Sequence, residues 1–421
     1  MYETALHAEA RRRVREIGSA DLVIGIPTYR NGRTIGRVMD AIVNGLVRDF
    51  PNARAVIMVA DGGSSDNTVQ LASDWPVPAG VKKIVTPYEG LLGRGSAVRA
   101  VFEVATALGA RVCIILSPDV RDITPSWLST LAAPILAEQS DLVLPTYDRP
   151  PLESALSDHI VYPMLNMLYG VQVRHCVGND LAIRGDLAGQ YALRDVWETD
   201  VARFGLDVWL GVVSMIEGRR IGQVCLGSKV EGMREFVVPM DPRFMHVVGT
   251  LFRLVNIYRR PWLEGSVPAR LENYGAPQPG TALTPRATIS LECIWEAALK
   301  GRNKYRNTWR SVLASDQLER LREVLHASPT PGCMPADLWA RIVVDFAVVY
   351  NRGEGDPDKV VCALLPIYYA RVVSYLLEMQ SRSPADFEAG VQEQARVFSE
   401  QRNYLRARWD TYVPWLDESG H

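Results

Sequence analysis

Residues 21–66 read DLVIGIPTYRNGRTIGRVMDAIVNGLVRDFPNARAVIMVADGGSSD, and this stretch decides the fold. An apolar run, Leu22 to Ile26, stops at Pro27-Thr28-Tyr29-Arg30-Asn31, and an amphipathic helix pattern follows. A second apolar run, Val56 to Ala60, breaks at Asp61-Gly62-Gly63-Ser64-Ser65-Asp66. Two buried strands that each end in a polar turn before a helix open a doubly wound sheet, in which ligands sit beyond the carboxyl ends of the strands. Asp61 is placed there to accept from a ribose or a base, or else to cap its own turn. Gly62 and Gly63 let the backbone come close to a ligand. Tyr29 and Arg30 belong to the same edge, either at the ligand or as solvent-facing residues of a helix entry.

The rhythm continues outward from this unit. Strands are expected over 22–27, 55–60, 82–86, 111–117 and 141–146, with helices near 32–48, 66–74, 95–108 and 124–137. Parallel strands joined by helices make an α/β layer. After Leu144-Pro145-Thr146-Tyr147 the pattern changes. Helices near 153–170 and 200–218 flank a short segment, Val173 to Arg184, and a late strand runs from Ile221 to Lys229. From Pro242 onward strand signals vanish. Apolar residues at helix spacing recur over 243–260, 286–300, 308–327, 335–352, 358–380 and 385–407. Residues 262–287 are rich in Pro and Gly and read as a linker or long loop. The expected organisation is an N-terminal helix (1–20), an α/β domain (21–240) and an all-α C-terminal domain (241–421).

Composition narrows the function. With 421 residues, two domains are the natural expectation. A net charge of −2 and a pI near 6.4 lack the basic excess that a general nucleic-acid binder needs. The six cysteines are scattered without CxxC or Cys/His spacing, which favours buried free thiols over a zinc site. The first residues, MYETALHAEARRRVREIG, form a charged amphipathic helix rather than a secretion signal. No apolar run approaches the ~20 residues of a membrane span. The expectation is a cytoplasmic enzyme, with no membrane and no nucleic acid as partner. The N-terminal helix and the apolar helical tail make a homodimer plausible.

Several further turns carry chemistry-bearing residues. Tyr88-Glu89-Gly90-Leu91-Leu92-Gly93-Arg94-Gly95-Ser96 leads into a helix, and two glycines around a cation at a helix N-terminus suit a diphosphate. Leu116-Ser117-Pro118-Asp119-Val120 ends another strand with a carboxylate at the same edge. In Tyr147-Asp148-Arg149-Pro150, Arg149 is either a clamp for an anionic acceptor or a solvated surface residue. Gly178-Asn179-Asp180 interrupts an apolar segment with amide and carboxylate groups where a substrate could lie. Asp207 sits on an otherwise apolar helix, where a carboxylate has an active-site task, an ion-pair partner or a capping role.

IPTYRNGRTIG, ADGGSSD, GRGSAVRAVF, SPDV, GNDLAIRGD, ARFGLDVWL and GSKVEG occur in the order seen in one group of retaining GT-A glycosyltransferases. The chain resembles the glucosylglycerate and mannosylglycerate synthases and the glucosyl-3-phosphoglycerate synthases, over roughly residues 20 to 235 by motif. The resemblance implies transfer of a hexose from a nucleoside-diphosphate sugar (GDP- or UDP-glucose or mannose) to D-glycerate or a related small hydroxy acid, with retention. In that group the products are compatible solutes or polysaccharide precursors. It implies donor contacts from Pro27, Thr28, Tyr29, Arg30, Asp61, Gly62, Gly93, Arg94, Gly95, Ser117 and Pro118. Arg149, Gly178 and Asn179 would meet the acceptor, and Asp207, Asp180 and Asn179 would be catalytic. Front-face substitution is expected, with the leaving diphosphate taking the acceptor's proton.

The chain also departs from the group. Arg94 stands where Lys is usual, Asn179 replaces a Gly, and Ser117 replaces the first Asp of an Asp-x-Asp pair. Glu231 stands in place of the His of Lys-x-His. Asp119 and Glu231 would then be the ligands of Mg²⁺ or Mn²⁺, or the metal site has decayed. Three other functions follow from these features. A sugar-phosphate nucleotidyltransferase would need a Gly- and Arg-rich loop after the first strand, which PTYRNGR matches poorly. A degenerate scaffold would bind nucleotide or a partner without turnover. A transferase could also act on a natural-product acceptor.

Overall fold

The structure, a computed structural model, describes residues 3–231, 242–265, 269–275, 290–380 and 382–412. Its strands are β1 (Leu22–Thr28), β2 (Ala55–Asp61), β3 (Val81–Pro87), β4 (Val112–Ile115), β5 (Leu142–Asp148), β6 (Leu181–Arg184), β7 (Arg220–Ser228) and β8 (Arg270–Tyr274). They form one sheet in the order β3-β2-β1-β4-β6-β5-β7-β8. All neighbours are parallel except β6, which runs antiparallel to both β4 and β5. The α/β expectation therefore holds, with a reversed strand inside it.

The chain divides into two compact units. The first comprises Met1–Asp148, Val177–Gly232 and Pro268–Gln278; the second comprises Arg149–Cys176, Met233–Val267 and Pro279–His421. The expected boundary at 240 falls among residues 232–241, outside the described residues. Two exchanges differ from the expected organisation. Residues 149–176 belong to the second unit because Tyr162 packs into an apolar cluster with Tyr375, Met379, Val391 and Ala395. The stretch read as a linker contains β8, which pairs with β7 in the first unit. RLENY is short and polar, as edge strands commonly are, so it carries no apolar alternation to announce itself.

Within the first unit, the apolar alternation of the strands faces two helices. Ile24, Ile26, Ile57, Val59 and Ile114 pack against Val38, Met39 and Ile42 of helix Ile35–Asp49, and against Trp127, Leu131 and Ile135 of helix Ser126–Leu136. Each such side chain, once fully buried, contributes about 1.5–3 kcal/mol. The register aligns the strand ends: Thr28 lies beside Asp61, and Asp61 beside Pro87. Leu181 lies beside Ile115, so the reversed β6 starts at the edge where β4 ends. Ahead of β1, Leu6 bridges Tyr88 and the Glu89 amide donates to the Ala5 carbonyl at 2.9 Å. The N-terminal segment thus braces the turn after β3.

The second unit is helical apart from its loops among the described residues. Its longest helix, Pro357–Met379, is an exception to the expectation of no span-length apolar run, since it is long and apolar enough to cross a membrane. With 78% of its apolar window buried inside the protein, it fits a core helix equally well. The cysteines also correct the expectation. Cys113 and Cys176 are buried, with burial pushing the Cys113 thiol well up, whereas Cys293 is exposed.

A polar cluster lies inside this unit. The Gln394 amide donates to the Asp158 carbonyl at 2.6 Å, which fixes its orientation. Its Oε1 accepts from Arg371 Nε at 2.9 Å and faces His159 Nδ1 at 3.1 Å. His159 must therefore carry its proton on Nδ1. Burial, reinforced by the Arg371 charge, lowers the imidazole from 6.5 to about 3. The unfolded chain takes up a proton at this site below pH 6.5 and the folded chain does not. The contribution is complete above that pH and is lost as pH falls toward about 3. Between pH 7 and pH 4.5 the unit should lose about 2–3 kcal/mol from this residue. In His159→Asn, which keeps a donor near Nδ1, denaturant unfolding should show an acid-sensitive component smaller by that amount. Equal pH slopes in the two proteins would exclude His159 as its source.

Candidate active site

At the ends of β1 and β2 the backbone folds onto itself. Asp61 Oδ1 accepts from Thr28 Oγ1 at 2.9 Å and from Ser64 Oγ at 2.6 Å. Its Oδ2 accepts from the amides of Gly63 at 2.9 Å and Ser64 at 2.7 Å. All four acceptor positions of the carboxylate are used. A base or ribose could bond to it only if a hydroxyl turned away, so Asp61 shapes the turn as its capping alternative required. Tyr29 is exposed at this edge, 57% accessible, with the Arg30 guanidinium 5.3 Å from its ring centre. Arg30 holds a left-handed φ of 56° and its amide donates to Ser64 Oγ at 2.8 Å.

The glycine turn before helix Arg94–Ala107 departs from expectation. The Gly95 amide donates to the Arg203 carbonyl at 3.0 Å, and the Gly93 amide to the Tyr88 hydroxyl at 2.9 Å. A Cβ on Gly95 would lie 1.9 Å from the Val201 carbonyl oxygen, and one on Gly93 2.6 Å from that of Ala202. These glycines permit backbone-to-backbone contact with residues 201–203. Their amides are therefore not directed at a diphosphate. Burial, and less strongly the Asp61 carboxylate, raises the Tyr88 phenol above its ordinary value, which keeps it a neutral hydroxyl.

Arg94 extends from this helix into the edge. Nη1 donates to Asp207 Oδ1 at 2.7 Å and Nη2 to the Asn179 carbonyl at 2.8 Å. Asp207 Oδ2 accepts from the Asn179 amide at 3.2 Å. The ion-pair alternative for Asp207 is the arrangement seen. Asn179 has φ 65°, a left-handed conformation that favours glycine and tolerates asparagine next best, which accounts for the residue found there. Its side-chain amide donates to Glu231 Oε1 at 3.2 Å.

Behind this layer Lys229 is completely buried. Its ammonium donates to the Gly178 carbonyl at 2.6 Å and to Asp180 Oδ2, lies 3.2 Å from Glu231 Oε1, and stands 4.8 Å from the Tyr147 ring centre. Asp180 also accepts from the Ser117 amide at 2.7 Å and from the Tyr147 hydroxyl. With 0% side-chain exposure, Asp180 cannot orient a substrate; it ties the segments of Ser117, Tyr147 and Lys229 to its own. That corrects its expected catalytic role. Ser117, expected at the donor, is likewise buried, and its amide is committed to Asp180.

The expected residues of the first unit are nonetheless tied together. Thr28 holds Asp61, and in the turn after β1 Asn31 Nδ2 donates to Asp119 Oδ1. Val120 bridges Glu231, which meets Asn179, which meets Arg94 and Asp207. Arg149, the expected acceptor clamp, opens the second unit and is buried, which excludes the solvated alternative. Asn31, Tyr88, Tyr147 and Lys229 were missed as functional candidates. A lysine and a tyrosine inside apolar strand ends were the available signal. Asp148, raised by burial at the end of β5, is a further carboxylate at this edge.

A divalent ion implied by the resemblance fits poorly. Among the described residues no three Asp, Glu, His or Cys side chains come together as ligands. Asp119 is engaged by Asn31, and Glu231 by Lys229 and Asn179. An ion on Glu231 about 5 Å from the ammonium would meet roughly 7 kcal/mol of repulsion at an effective dielectric of about 20.

Residues 23–178 match the model for glycosyl transferase family 2. The mixed sheet and its flanking helices are a GT-A α/β fold. Among solved structures, glucosyl-3-phosphoglycerate synthase from Mycobacterium tuberculosis with Mn²⁺, UDP and glucosyl-3-phosphoglycerate is 18% identical, covering 61% of this chain and 85% of that one, with a TM-score of 0.45. The same synthase with Mg²⁺ and UDP is 19% identical over 58% and 82%, with a TM-score of 0.45. Its complex with Mn²⁺, UDP-glucose and glycerol 3-phosphate is 18% identical over 61% and 85%, with a TM-score of 0.44. No curated protein matches the chain.

Proposed function

We propose that this chain moves a hexose from a GDP- or UDP-linked sugar to D-glycerate or a related small hydroxy acid, with retention at the anomeric carbon. The observation that carries this reading is the set of hydrogen bonds and one backbone bridge that, through short stretches of chain, link the turns after β1, β2 and β4 to Arg94, Asn179 and Asp207. Such bonding holds a preorganised edge where the fold places ligands. The exposed Tyr29 ring gives a nucleoside a face to stack on, and Arg30 lies beside it. Arg94 uses two of its five donors on Asp207 and Asn179, which leaves others for the leaving diphosphate. Asp207 is a positioning residue that aims the guanidinium.

The retaining, front-face route that the resemblance implies is supported over a covalent glycosyl-enzyme by the state of three carboxylates. Asp61, Asp180 and Asp207 are all held by hydrogen bonds, so none is set to attack the sugar carbon. The bond from anomeric carbon to phosphate oxygen breaks as the acceptor oxygen bonds to the same face. The acceptor's proton passes to the departing phosphate oxygen. No step is routed through a metal, because the residues present do not fit one.

The test is a matrix of GDP- and UDP-hexoses against glycerate and 3-phosphoglycerate, read by the anomeric coupling of the product in NMR. A product with the donor's configuration is expected in at least one combination. The saturated carboxylates also motivate the scaffold reading. Nucleotide that raises the melting temperature, with no product in any combination, would replace the transferase by that scaffold.

A further inference from the structure

We infer that this site binds the nucleoside diphosphate without a divalent cation, because Lys229 has drawn Glu231 out of any ligand set. The inference rests on the transfer reading above and concerns the same edge. Three independent features of the chain agree. The first carboxylate of the strand-end pair is Ser117, whose amide is committed to Asp180. The remaining carboxylate, Asp119, accepts from the Asn31 side chain and so ties the turn after β1 to the end of β4. Glu231 has one oxygen 3.2 Å from both the Lys229 ammonium and the Asn179 amide.

A neutral imidazole at position 231 would bring no negative charge to a buried ammonium. A carboxylate at that position is drawn to it and becomes a counter-ion. Lys229 has no solvent exposure and shares its charge between Asp180 and Glu231, so Glu231 is held as a second counter-ion. Withdrawing Glu231 to ligate a metal would leave that ammonium with one carboxylate and bring a second cation toward it. Backbone pairing adds to the constraint. The Val230 amide donates to Asp122 Oδ1 at 2.8 Å, and the Arg121 amide to the Val230 carbonyl at 2.9 Å. The segment carrying Glu231, just past β7, is thereby locked against the turn carrying Asp119. Positive charge for a diphosphate then comes from side chains at the edge, where Arg94 is held in place by Asp207 and the Asn179 carbonyl.

The experiment is calorimetric titration of UDP and of GDP into the full-length protein, first with EDTA and then with Mn²⁺ or Mg²⁺. Electron paramagnetic resonance of Mn²⁺ with the nucleotide-free protein accompanies it. For at least one nucleotide the dissociation constants should agree within about threefold with and without metal, and the free Mn²⁺ signal should persist when protein is added. Affinity rising about tenfold or more with Mn²⁺, or a protein-bound Mn²⁺ signal, would overturn the inference while leaving the transfer reading in place. Folded protein that binds neither nucleotide under any condition would remove both, and that result is distinct from metal-dependent binding.

Discussion

Lys229→Met should lower the stability of the first unit by about 3–5 kcal/mol, the usual cost of leaving a buried charge without its partner. The side chain is wholly buried and meets the Gly178 carbonyl, Asp180 and Glu231. Methionine fills the same space but leaves Asp180 with only the Ser117 amide and the Tyr147 hydroxyl. For a unit of this size the melting temperature should fall by on the order of 10 °C. Adding Asp180→Asn should recover a substantial part of the loss, since an amide in that position needs no counter-ion. Denaturant unfolding of wild type, the single variant and the double variant decides the matter. A single variant within about 1 kcal/mol of wild type would mean that Asp180 is not dependent on this ammonium. A double variant weaker than the single one would locate the loss in packing rather than charge.

The strands were legible because their burial is nearly complete. Leu22–Thr28 and Ala55–Asp61 are buried at every position, so each reads as an apolar run with a sharp polar end. The helices of the second unit were legible for a related reason. Helix Ala336–Arg352 has an apolar stripe whose period survives in the sequence. β6 and helix Gly185–Ala192 were not resolved as separate elements. Four residues running antiparallel leave no period, and the direction of a strand is set by its neighbours.

The site was half legible. Residue types at strand ends identified the edge, and Asp119, Arg94, Asn179, Asp207 and Glu231 do gather there. What the sequence could not disclose is how each group spends its bonds. Gly93 and Gly95 satisfy a close-packing demand imposed by residues more than a hundred positions away, and a phosphate-binding glycine would look the same in one dimension. Asp180 and Asp207 are two carboxylates with similar apolar surroundings in sequence. One is sealed beneath the edge by Lys229 and the other faces Arg94. The departures from the resembled group are coupled in the same way. Asn179 suits a left-handed backbone and gains Glu231 as acceptor, so the two substitutions support one another.

Arg94→Ala should reduce kcat/KM for sugar transfer by about 10²–10³, the range seen when a preorganised group that stabilises developing charge is removed. The guanidinium is held by Asp207 and the Asn179 carbonyl, with its side chain only 11% exposed, so little reorganisation is needed when the diphosphate departs. Arg94→Lys should recover only part of the rate. A single ammonium keeps the charge but cannot reach both partners with the geometry of a planar fork. Asp207→Asn should cost nearly as much as the alanine variant if Asp207 acts by aiming Arg94. The double variant should then be no slower than the worse single one, because the second substitution removes nothing that is still working. Melting temperatures taken alongside separate lost function from lost fold, since Asp207 without Arg94 is a nearly buried carboxylate that has lost its guanidinium. Losses that multiply in the double variant would show that Asp207 contacts the substrate independently of Arg94.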